Sequence, residues 1–304
     1  MVVTRISTYN THQATRNNAS SVQNTLLNLQ KQISSGFKTD DFKGLSGAVE
    51  GFVALDNKIS RTDGFLQNNQ ILSARMQTMN TSVNQVIDTA TALRNTLLLR
   101  RNQSIGQSVG FAGQLQSTWE TLTGQLNTNL EGRYLFGGIR TDTPPVDNTT
   151  FPTIQNADLS PEDGYYRGAK ESTVMRVQDD YNITQSVRAD DPAFQKIFSA
   201  MAIAKEGDAT NDDELLKRAY DMLSDGIAEL GDVQTAIGNT LGNMEVVADR
   251  QSQLILYWKS VKESLINTDL VSASTEVATN QGILQASFQA FARINSLQLS
   301  DFLR

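Results

Sequence analysis

His12 is the sole imidazole of the chain, and no cysteine accompanies it. A metal site or a nucleophile–base pair needs a second group converging on the same atom. His12 sits among Asn and Thr in a polar terminal segment, which marks an exposed or interface side chain. The absence of cysteine removes disulfides, thiolate catalysis and thiolate zinc sites together. Carboxylates remain. Asp40-Asp41 and Asp179-Asp180 are adjacent pairs, and neighbours in sequence rarely aim at one reacting atom, so both read as turns. Asp212-Asp213-Glu214 lacks the alternating oxygen spacing of a calcium loop and reads as a helix start. Gly137-Gly138 has neither the strand–glycine–helix context nor the Gly-Lys-Ser/Thr that cradle a phosphate. These residues predict no enzyme, no metal and no cofactor.

The elements that carry them are helical. All five prolines fall from Pro144 to Pro192, leaving both long flanks free of the residue that costs about 3 kcal/mol inside a helix. In the first flank Leu72, Met76, Met79, Val83, Val86, Ala90, Leu93 and Leu97 recur at spacings of four and three, a heptad seam. A further helix carries Leu115, Trp119 and Leu122 and is expected to stop at Glu131-Gly132. In the second flank Leu216, Ala219, Leu223, Leu230, Val233, Ile237, Met244, Val247, Leu254, Trp258, Val261 and Leu265 hold one register. Gly226, Thr240 and Gln251 interrupt it. The bundle core is thereby assigned to Leu72, Met76, Val83, Val86, Leu93, Leu97, Trp119, Leu230, Ile237, Leu254 and Trp258.

The two ends differ from this bundle. Residues 1–37 contain no acid, and Ala19, Val22, Leu26, Leu29 and Ile33 form a narrow stripe on a helix that Gly36 ends. Residues 270–297 carry only Glu276 and Arg293 as charges, with Val277, Leu284, Phe288 and Phe291 on one seam and Ile294 beside it. Such thin stripes are marginal alone. They are best explained by pairing with each other and with neighbouring subunits. The assembly interface is thus assigned to Val22, Leu26, Leu29, Ile33, Val277, Leu284, Phe288, Phe291 and Ile294.

Between the flanks, Val174, Met175 and Val177, then Ile183 and Val187, predict a hairpin across Gln178-Asp179-Asp180, with Tyr165-Tyr166 as a third strand. Asp191-Pro192 supplies an N-cap and an N1 proline for the next helix. The expected architecture is mainly α: an elongated antiparallel helical bundle with terminal coiled-coil helices and a small β-containing insert. Residues 1–40 and 266–304 form the terminal helices, 41–140 and 192–265 the bundle, and 141–191 the insert. Few seam residues come from the insert, so it is expected to be dispensable for folding. A net charge of −7 argues against nucleic acid as the main partner. No apolar run is long enough to span a bilayer, and Met1 to Ser7 lacks the apolar region of a cleaved signal peptide.

Three stretches resemble the flagellin superfamily, and within it the branch at the hook–filament junction. Thr4-Arg5-Ile6-Ser7-Thr8, with Leu26 to Gly36, is similar to the family's N-terminal signature. Glu131-Gly132-Arg133-Tyr134-Leu135-Phe136-Gly137-Gly138, followed by Thr141 to Pro145, resembles the junction branch where it enters its variable domain. Thr268-Asp269-Leu270, Leu284-Gln285-Ala286 and Asn295 to Leu303 resemble the C-terminal helix. One departure is Phe42 after Asp40-Asp41, where the family usually has proline, which implies a rebuilt loop.

The resemblance implies an extracellular axial protein of the bacterial flagellum, exported through the type III apparatus without a cleaved signal. It implies self-association, contact with hook-associated proteins and flagellin, and an export chaperone. The Arg5-Ile6-Ser7-Thr8 opening and Asp301-Phe302-Leu303 ending favour the junction branch over bulk flagellin. A helical adaptor or signalling rod would explain the heptads but not the charge-poor ends.

Overall fold

The computed structural model describes residues 2–39, 49–102, 110–185 and 187–302, with the side chains of Asn10 and of residues 13–293 in those ranges. The expected turn at residues 40–44 lies outside the described residues. In chain order come α1 (Val2–Ser35), α2 (Val49–Arg101), α3 (Phe111–Leu126), β1 (Asn129–Leu130), β2 (Arg133–Tyr134), β3 (Thr173–Gln178), β4 (Tyr181–Gln185), α4 (Pro192–Thr210), α5 (Asp213–Ile266) and α6 (Leu270–Phe302). The fold is mainly α, with two small antiparallel hairpins, as the proline map and heptads predict. Two compact units divide it, one formed by residues 62–253 and the other by 1–61 with 254–304.

In the unit 62–253, α2 and α5 lie antiparallel, joined by Ser73 with Met244 at 4.0 Å and Gln234 Nε2 donating to Asn84 Oδ1 at 2.6 Å. The assigned core positions Leu72, Met76, Val83, Val86, Leu93, Leu97, Trp119, Leu230 and Ile237 are buried in one cluster. That cluster also takes in α4, whose Phe194, Ile197, Phe198 and Met201 are fully buried. Asp191 caps α4 by accepting from Ala193 N at 3.2 Å. Asp212 Oδ1 caps α5 by accepting from Glu214 N and Leu215 N at 2.9 and 3.2 Å.

The seam interruptions have physical causes. A Cβ at Gly226 would lie 3.0 Å from the Ala193 carbonyl oxygen, so glycine admits the first turn of α4 against α5. Thr240 turns its hydroxyl back to the Ala236 carbonyl. Gln251 is buried and hydrogen-bonded. After it the buried place passes to Ile255, and Leu254 and Trp258 are only half-buried. The run Met244, Val247, Gln251, Ile255 departs from the strict heptad, and this shift of phase corrects the core assignment of Leu254 and Trp258.

The insert also differs from expectation. Helix α3 ends at Leu126, before Glu131-Gly132, because those two residues form the turn of the β1–β2 hairpin, with φ of 55° and 79°. The β3–β4 hairpin forms as predicted, yet Tyr165-Tyr166 adds no strand to it. Tyr166 makes a single bridge with Val146 instead. Val146, Tyr165, Tyr166, Met175, Val177, Ile183 and Val187 all join the helical core cluster. The segment is therefore part of the core and not an appendage, because alternate residues of its strands face the helices.

Candidate assembly surface

The other unit holds both chain ends. Helix α1 stops where Gly36 takes a left-handed φ of 79°, closed by Gly36 N donating to Gln32 O. The next residues clasp the end of α5. Lys38 N donates to Ile266 O at 2.7 Å, and Thr268 N donates to Gly36 O at 2.9 Å. The Lys38 ammonium donates to the carbonyls of Ser264 and Leu265, placing a cation on the negative end of α5. Asp269 then starts α6 by accepting from Val271 N and Ser272 N. Since the end of α1 is bonded to the beginning of α6, the two helices run antiparallel, and they pack against each other. In the same unit the Lys262 ammonium pairs with Asp56 and lies 4.6 Å from the Phe52 ring centroid, tying α5 to the start of α2.

Pairing covers little of the terminal stripes. Leu26 and Leu29 are 8% and 6% exposed, and Val22, Ile33, Val277, Leu284 and Phe291 are half-buried. Phe288 remains 54% exposed, and the side chain of Ile294 lies outside the described residues. Beside these, Leu27, Leu270, Val271 and Ile283 are exposed. Leu270 and Val271 were not among the assigned interface residues, since they precede the heptad seam. The arrangement is a two-helix strip carrying apolar side chains toward solvent, with few charges to keep other apolar surfaces away.

The chemistry-bearing residues have structural places. Asp179 accepts from Arg176 at 3.3 Å in the β3–β4 turn, and Asp213 pairs with Arg101 at 3.3 Å. The side chain of His12 lies outside the described residues. A cavity of about 180 Å³ in the insert is lined by Asp147, Phe151, Glu162, Tyr165 and Arg167 among others. Its polar groups are already engaged: Asp147 accepts from Arg167 and from the Thr149 hydroxyl, and Glu162 accepts from Gln155 N and Asn156 N. Among the described residues no cluster of His, Cys, Asp and Glu could hold a metal ion, and no helix is long and apolar enough to cross a membrane.

Residues 6–141, spanning α1 to the β1–β2 hairpin, match the model of the bacterial flagellin N-terminal helical region. The likeness is to the flagellin superfamily, and the matched region makes up a little under half of the chain. The fold is similar to that of a protein from Vibrio parahaemolyticus provisionally described as a flagellar hook-associated protein, at a TM-score of 0.60 and 18% identity. That match covers 74% of this chain and 98% of the other. The fold is similar also to that of Bacillus cereus FlgL, at a TM-score of 0.56 and 14% identity, over 70% of this chain and 99% of the other. At such identities the likeness is one of fold. No curated protein matches the sequence.

Proposed function

We propose that this chain is a flagellin-superfamily structural subunit of the bacterial flagellum, not an enzyme, and that it joins hook to filament through coiled-coil assembly of its terminal helices. The observation that carries the reading is the α1–α6 strip, whose own pairing leaves Phe288, Ile283 and Val271 exposed on helices nearly free of charge. In this reading Val22, Leu26, Leu29, Ile33, Val277, Leu284, Phe288, Phe291 and Ile294 serve the assembly interface. The fold shared with a flagellar hook-associated protein and with FlgL supports an axial role. Hook-associated proteins and flagellin are the partners this role requires. An export chaperone and export to the cell exterior without a cleaved signal peptide belong to the same proposal.

Bulk flagellin is the second reading, since the matched N-terminal region is that of flagellins. Gene deletion separates the two. A junction subunit is needed in few copies, so its loss should leave hooks intact while flagellin escapes to the medium. Sheared filaments in which this 33.4 kDa chain is the major band would overturn the junction role in favour of bulk flagellin.

A further inference from the structure

The apolar seam of α2 is repetitive enough to be ambiguous. Sliding it by seven residues puts Met79 where Leu72 lies, Val83 where Met76 lies and Ala90 where Val83 lies. Each exchange is apolar for apolar, on the same face of the helix. Hydrophobic burial alone therefore discriminates weakly between the native register and one displaced by a heptad, about 10 Å at ~1.5 Å per residue.

Two polar anchors stand at the ends of this seam. At one end Asn69 and Gln251 are 1% and 2% exposed. Asn69 Nδ2 donates to Gln251 Oε1 and to the Val177 carbonyl, both at 3.0 Å, and Gln251 Nε2 donates to the same carbonyl at 2.9 Å. The Val177 oxygen thus uses both lone pairs. It can do so because β3 breaks register between Arg176 and Gln178, a bulge that takes this carbonyl out of the ladder. At the other end the 5%-exposed Arg100 donates to Asp208 Oδ1 at 2.6 Å and to Asn211 Oδ1 at 3.1 Å, in the corner between α4 and α5. Burying two amides and a guanidinium is a poor way to gain stability, and Asn69 Oδ1 has no hydrogen-bond partner among the described residues. Both anchors are instead demanding about position. A heptad slide in one direction sets Gln251 against Met76, and in the other it sets Asn69 against Met244. Either leaves buried amides unpaired.

We propose that the Asn69–Gln251–Val177 node and the Arg100–Asp208–Asn211 anchor together fix the register of α2 against α5. The node also holds the β3–β4 hairpin to that register. This role is independent of what the chain assembles into.

The chain contains no cysteine, so two introduced ones can carry spin labels without background. Gln77→Cys and Thr235→Cys, both at exposed positions, place one label on each helix. Their distance is read in the parent, in the node variant Asn69→Leu/Gln251→Leu, and in that variant with Arg100→Met/Asp208→Asn added. The parent should give one distance. The combined variant should keep its helical circular dichroism and add a second population, displaced along the helix axis by about 10 Å. A single native distance in the folded combined variant overturns the proposal. Should the combined variant fail to fold, the node variant decides: a displaced population supports the proposal, and an unchanged single distance overturns it. Loss of the helical fold in the node variant as well overturns it too, since the node would then be a stability element.

Discussion

The unit 62–253 and the α1–α6 pair are built from the same element and differ in what covers it. In the first, α2, α3, α4, α5 and the insert surround one another, and seam residues such as Met79, Val83, Ala90 and Ile237 are completely buried. In the second, the described residues of the two helices pack chiefly on each other, and a pair can cover just one narrow line of contacts. Leu26, Leu29 and Ala273 are its buried apolar side chains among those described. At about 1.5–3 kcal/mol for each fully buried large apolar side chain, the first unit can offset the conformational entropy of its helices and the second gains little margin. The difference teaches that an apolar stripe identifies a helix but not its partner. A stripe completed within the chain is core, and one left incomplete is, on the proposed function, a surface for a second molecule.

The largest effect should come from charging the incomplete stripe. Phe288→Asp places a carboxylate at a site exposed in the subunit, so the free chain should keep its helical circular dichroism. Covered by a neighbour, an unpaired charge costs several kcal/mol per subunit, and assembly should be lost. Normal assembly by this variant, followed by electron microscopy, would mean that the interface lies elsewhere.

Removing the insert should strike the other region. Replacing residues 142–190 with a Gly/Ser linker takes Val146, Tyr165, Tyr166, Met175, Val177, Ile183 and Val187 out of the shared core. The loss far exceeds the modest entropy of closing a loop, and the melting temperature should fall steeply. An unchanged melting temperature would make the segment an appendage after all.

A matched pair of truncations sharpens the contrast. Phe194 is 0% exposed and meets Phe136 edge-on with centroids 6.3 Å apart, so Phe194→Ala should cost about 3–5 kcal/mol in denaturant melts. Phe288→Ala should stay within about 0.5 kcal/mol in the same assay, because solvent already reaches that ring. Similar costs at the two sites would erase the distinction between core and open stripe.

The long helices were legible in the sequence because period and proline are local signals. Gly36, Asp191-Pro192 and Asp212 mark their ends by mechanisms confined to one turn. What was not legible depended on three-dimensional neighbours. Gln251 reads as a fault in a heptad, and only its contact with Asn69 and the bulged Val177 carbonyl makes it a tie between three elements. Arg100 reads as a surface residue at a helix end, and it is buried because Asp208 and Asn211 return to it from the α4–α5 corner. One signal was available and unused. Phe194, Ile197, Phe198, Met201 and Ile203, with alanines between them, make α4 apolar on all sides, which is the mark of a central helix. That mark predicts a core reaching into the midpoint of the chain. The terminal stripe was legible as a stripe, whereas the second molecule proposed to cover it cannot be read from one chain.

The smallest effect tests how completely the central unit surrounds its own polar groups. Asp191 caps α4, where the helix dipole favours a negative charge. Yet its pKa is raised above the ordinary 3.8, first by burial and then, against the lowering hydrogen bond from Ala193 N, by the neighbouring Asp190 and Glu229 carboxylates. The folded state therefore holds this proton more tightly than the unfolded chain does. The stability it contributes is complete below the unfolded value and is lost as pH rises through the raised folded one. Asp191→Asn keeps the capping oxygen and removes the ionisation, so at neutral pH it should match or slightly exceed the parent in denaturant melts. The advantage should vanish in acid. Asp191→Ala loses the cap itself and should cost about 1 kcal/mol at every pH. A parent more stable than Asp191→Asn at neutral pH would show that the dipole outweighs burial here, and that the start of α4 is more open to water than its neighbours imply.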